Sequence, residues 1–76
     1  MTYQDLLDVL KAELKLTDVG DTAEMGKTKG WDSLRQVQLI FAIEKAASTQ
    51  VPPDMFGELT SVSAIWKFLA EEGLAN

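Results

Sequence analysis

Seventy-six residues with 12 Asp+Glu against 7 Lys+Arg, a formal net charge of -5, 46% hydrophobic residues, no His and no Cys allow one small domain spanning 1–76. The acidic balance works against phosphate backbones and acidic lipid surfaces and favours basic protein partners. The absence of imidazole and thiol removes the usual nucleophile, general base and zinc ligands, so catalysis by the chain alone is not expected. With no cysteine there is no disulfide framework of a small secreted scaffold. The opening MTYQDLL lacks the basic and apolar runs of a signal peptide. No stretch approaches the roughly 20 apolar residues of a bilayer span, so a cytoplasmic protein is expected.

Thr2 to about Leu14 reads as a first helix, because Tyr3, Leu6, Leu7, Leu10 and Leu14 form one stripe when each residue turns by about 100°. Thr2 and Asp5 have the spacing of a capping box, and Asp8, Lys11 and Glu13 fall on the solvent side. From Lys15 to Trp31 the pattern breaks into Thr, Asp and Gly residues, predicting a long loop anchored by Leu16, Val19 and Met25.

Ser33 to about Ala47 forms a second helix with two apolar groups. Leu39, Ile40, Ala42, Ile43, Ala46 and Ala47 fill a broad face, while Leu34, Val37 and Phe41 gather opposite, beside Gln38, Glu44 and Lys45. One face suffices for the core of so small a domain, which leaves two readings of the second group. It is an exposed contact surface, or Leu34 and Phe41 wedge under the long loop.

Pro52 and Pro53 close a short connection, and Pro53-Asp54 opens a helix of about one turn through Met55 and Phe56 before Gly57. Ser61 or Thr60 then caps a last helix, with Val62, Ile65, Trp66 and Leu69 as its stripe and Gly73 at its end. The fold class is therefore all-α: a small four-helix bundle of three main helices and one short one, with a long loop between the first and second.

The informative string is Gly30-Trp31-Asp32-Ser33-Leu34. It ends a loop and begins an amphipathic helix, where unpaired N–H groups and the helix dipole favour a phosphodiester on Ser33. Gly30 lets the backbone turn sharply. The plain alternative is that Asp32 or Ser33 is an ordinary helix cap. Trp31 is likewise read two ways, as an aromatic anchor for the loop or as a ring that shields the site and touches a partner.

GWDSLRQVQLIFAIEK resembles the acyl and peptidyl carrier protein family, marked by a G-x-D-S-L turn followed by an apolar helix. Ala42-Ile43-Glu44, the Val51-Pro52 step and Leu59-Thr60-Ser61-Val62 extend the resemblance over nearly the whole chain. The resemblance implies that Ser33 carries 4'-phosphopantetheine, attached from coenzyme A by a phosphopantetheinyl transferase, with Asp32 supporting the modification. It further implies that the chain carries acyl or aminoacyl thioesters, loaded by one enzyme and passed to a downstream synthase or acyltransferase. The reactive sulfur then arrives with the cofactor, in keeping with the absence of cysteine.

Fatty-acid carriers of this family place several acids along the second helix, whereas this chain has Arg35, Gln38 and Lys45 at three such places and keeps Glu44. This departure points to polyketide, nonribosomal peptide or related specialised biosynthesis, with Leu34, Val37, Gln38 and Phe41 as the partner surface. A discrete protein is expected, since neither end has linker composition, and a monomeric one. The rival function is an unmodified helical interaction module using Leu34, Val37 and Phe41. A DNA-reading role fits the helix count but not the charge.

Overall fold

Thr2 starts the first helix by accepting a hydrogen bond from the Asp5 backbone N–H at 3.0 Å, while the Asp5 carboxylate accepts from the Thr2 N–H at 2.9 Å. In the computed structural model, which describes residues 1–76, this capping box opens α1, Tyr3–Leu14. The two hydrogen bonds to Thr2, backbone first, hold the Asp5 carboxyl below its ordinary range. Leu6, Leu10 and Leu14 are buried, and Tyr3 and Leu7 pack partly against the core, as the stripe predicts. Lys11 and Glu13 are half-buried rather than fully in water.

The remaining helices are α2, Ser33–Ala47, and α3, Val62–Glu71. Asp32 caps α2 and Ser61 caps α3, each accepting from the backbone N–H three residues on, at 2.8 and 3.1 Å. The fourth predicted helix is a single 3-10 turn, Pro53–Met55, with Phe56 just beyond it. Three residues and the missing proline N–H leave too few hydrogen bonds to propagate an α-helix. The architecture is thus three α-helices plus one 3-10 turn, without a strand.

Leu6, Leu10, Leu39, Ile40, Val62, Ile65 and Leu69 expose no surface, so all three helices share one core. Full burial of each such side chain contributes roughly 1.5–3 kcal/mol before its entropy cost. Two stripe assignments change. Ala46 is exposed on α2, and on α3 the buried residue is Phe68, whereas Trp66 is half-buried with its ring edge-to-face on Tyr3 at 5.3 Å. α3 ends at Glu71, and Gly73 follows at φ 73.

The 15–31 segment is a long loop, but a tethered one. Met25 N–H donates to Thr60 O at 2.8 Å and Val62 N–H donates to Ala23 O at 3.1 Å, forming an antiparallel pair with the start of α3. Val19 and Ala23 are buried beneath it, with Leu16 and Met25 partly so. Its exposed turn carries a Lys27–Glu24 ion pair at 2.8 Å, and hydrogen bonding to Glu24 raises the Lys27 ammonium pKa. At the ends of the chain, the Met1 amino group donates to Leu74 O at 2.8 Å and Asn76 N–H to Met1 O at 2.9 Å.

Candidate functional site

The site is built where the tethered loop meets α2. Gly26 N–H donates to Trp31 O at 2.9 Å, and Trp31 N–H to Thr28 O at 3.0 Å, closing a turn just before the helix. Gly30 sits in that turn at φ 82, and a Cβ there would lie 3.3 Å from Leu14 O. Both the left-handed backbone and the close approach to α1 call for glycine.

This turn delivers Trp31 into the core at 2% exposure. Its indole N–H donates to Gln36 Oε1 at 2.6 Å. Trp31 is therefore the anchor that holds the loop against α2; a ring so enclosed does not touch a partner protein. Asp32 follows in extended conformation, its Oδ1 accepting from Arg35 N–H. Of the two candidate caps, the cap is Asp32.

Ser33 is the first residue of α2 and is exposed. The cap satisfies Arg35 N–H, and Gln36 N–H donates to Asp32 O at 2.9 Å. The first-turn N–H groups of Ser33 and Leu34 lie ahead of these bonds, at the positive end of the helix dipole. The arrangement suits a phosphodiester on the Ser33 hydroxyl, because the residue is exposed and the adjoining backbone favours an anion. Asp32 is exposed beside it, and its carboxylate is the hard oxygen type that a magnesium ion accepts as a ligand.

Leu34, Val37 and Phe41 are 71%, 40% and 56% exposed, so they do not wedge under the loop. With Gln38 they form one outward stripe running away from Ser33 along α2. Gln38 Oε1 accepts from Arg35 at 2.9 Å, tying two polar side chains together on its margin. Glu44, the single acid of α2, is engaged: its carboxylate accepts from Val51 N–H at 2.7 Å and secures the connection after the helix.

Two residues of this region escaped the sequence reading. Phe56 stands edge-to-face against Phe41, with ring centroids 5.9 Å apart, and so extends the outer stripe. Gln36 is the single buried polar residue of the chain. A signal for Gln36 was present, because it shares the inner α2 face with Leu39, Ile40 and Ile43 at helical spacing. The place of Phe56 depends on how the 48–60 connection folds back, which no local pattern reports.

The chain is 32% identical over 68 residues to a curated protein named acyl carrier protein from Streptomyces coelicolor, covering 90% of this chain and 74% of that relative. The chain belongs to the acyl carrier protein family. No family model matches it. Membership gives the chain a carrier role in general terms, and its all-helical fold fits that role. None of its helices is long and apolar enough to cross a membrane.

Proposed function

We propose that Ser33 is the attachment serine for 4'-phosphopantetheine and that residues 1–76 act as one carrier domain for acyl or aminoacyl thioesters. The observation that carries this reading is the position of Ser33: exposed, first in α2, directly after a carboxylate cap and directly before an exposed apolar stripe. When attached, the arm supplies a thiol on which cargo is held as a thioester.

The protein's own residues do the placing. The glycine turn and the buried Trp31 fix the start of α2, Asp32 caps it and supports a magnesium ion during modification, and the helix end favours the phosphate. Leu34, Val37, Gln38 and Phe41 meet the partners in turn: the phosphopantetheinyl transferase, a loading enzyme, and a downstream synthase or acyltransferase. The chain itself catalyses none of these steps and works as a cytoplasmic monomer.

A specialised biosynthetic route, of polyketide, nonribosomal peptide or related type, is favoured over the housekeeping fatty-acid role. Arg35 and Lys45 stand on α2, and its one acid is committed to Val51 N–H. Little negative charge is left on this helix to steer a basic partner, so apolar contact dominates.

Intact mass before and after incubation with coenzyme A, magnesium and a broad-specificity phosphopantetheinyl transferase tests the reading. The wild-type chain is expected to gain one arm and Ser33→Ala none. A folded wild-type chain that gains nothing beside an active control carrier would turn the reading to an unmodified interaction module.

A further inference from the structure

Gln36 uses its amide in both directions. Its Oε1 accepts from the Trp31 indole at 2.6 Å, and its Nε2 donates to Phe56 O at 2.9 Å and Leu59 O at 2.7 Å. One side chain at 4% exposure thereby joins the turn before Ser33, α2 and the 48–60 connection. The two carbonyls lie just beyond the 3-10 turn and receive no backbone N–H. An apolar side chain at this position would leave the indole N–H and both carbonyls without a protein partner, so the amide is needed to satisfy them as well as to fill the space. What the amide adds is geometry: it locates the Phe56 backbone relative to α2, and the Phe56 ring is the one that stands against Phe41 on the outer stripe.

We infer that Gln36 is a positioning residue for docking of the modifying transferase, acting through Phe56. By holding the carbonyls of Phe56 and Leu59, it sets the Phe41–Phe56 pair in fixed relation to Ser33. The transferase then meets one rigid surface of attachment turn and aromatic pair. The inference rests on the reading of Ser33 as the attachment serine.

The test is steady-state modification of the full chain by a broad-specificity transferase with coenzyme A and magnesium, comparing Gln36→Leu, Phe56→Ala and the double variant. Each single change is expected to raise the KM for the carrier about five- to tenfold with kcat little altered. The double change is expected to be no worse than the worse single one, because both remove the same contact. Gln36→Glu keeps the acceptor for Trp31 but cannot donate to both carbonyls, since a carboxylate donates to neither and a carboxylic acid to one. It should raise KM while the Trp31 indole N–H stays slow to exchange, separating Phe56 placement from Trp31 burial. If Gln36→Leu does not fold, Gln36→Glu replaces it in the cycle.

An unchanged KM in a folded Gln36 variant, or single effects that multiply in the double variant, would overturn the inference. A wild-type chain that gains no arm fails at an earlier step and removes the Ser33 reading instead. In that event, NMR contacts between the Phe41 and Phe56 rings decide whether Gln36 positions Phe56. Contacts that persist in the Gln36 variants, with unchanged hydrogen exchange around Phe56, count against it.

Discussion

The two faces of α2 carry similar side chains and meet opposite fates. Leu39, Ile40 and Ile43 vanish into the core between α1 and α3, while Leu34, Val37 and Phe41 stand in solvent with Phe56 as their aromatic neighbour. The inner residues are accounted for by folding. The outer ones gain little from it and form a contiguous exposed apolar stripe beside an exposed serine, the surface that the proposed function assigns to partner proteins. Within one helix, the buried and the exposed apolar groups are thus separated by about half a turn of rotation.

That contrast can be broken most severely from the inside. Ile40→Ala should cost about 2–5 kcal/mol, a large part of the stability available to a domain of this size, and be read as a lowered urea midpoint. Trp31→Phe keeps an aromatic ring but strands the Gln36 Oε1 acceptor, for a loss of about 1–3 kcal/mol in the same measurement. Asp32→Ala, which removes the cap of α2, should cost about 1 kcal/mol and slow modification of Ser33 beyond that stability loss. On the outer face, Phe41→Ala is expected to shift stability by about 0.5 kcal/mol or less while weakening transferase and partner turnover. Equal stability losses at Ile40 and Phe41 would erase the distinction between the faces.

The smallest effect concerns pH and lies away from both faces. The Asp5 pKa is lowered by its Thr2 hydrogen bonds, so the folded state prefers the ionised carboxylate. Its contribution is present above the unfolded-state carboxylate range and is lost as pH falls through the lowered folded value. Thermal melts of Asp5→Asn should therefore fall slightly below wild type at neutral pH and converge with it in strong acid.

Much of this protein was legible in its residues. The stripe of α1, the Thr2–Asp5 box and the second apolar group on α2 follow from spacing, because helical periodicity is a local property, whereas the choice of Asp32 and Ser61 as caps and the exposure of the triplet came only with the structure. The Gly30 turn was legible for the same reason, since a left-handed backbone selects its residue type. Trp66 and Phe68 exchanged places because neighbours two positions apart on a helix are separated by contacts from other elements, here the Tyr3 ring. The short helix shrank to a 3-10 turn because Pro52-Pro53 and Gly57 leave only a few residues between them.

The sequence by itself determined an acidic, all-helical chain without imidazole or thiol, with a serine at the start of its second helix and a stripe to spare beside it. The tertiary structure decided that Trp31 is a buried anchor, that the long loop is pinned to the start of α3, and that Gln36 links three segments. The physical reason is range. Caps, turns and stripes arise from residues a few positions apart, whereas the two carbonyls that Gln36 holds lie 20 and 23 positions away and meet it only once the core has closed.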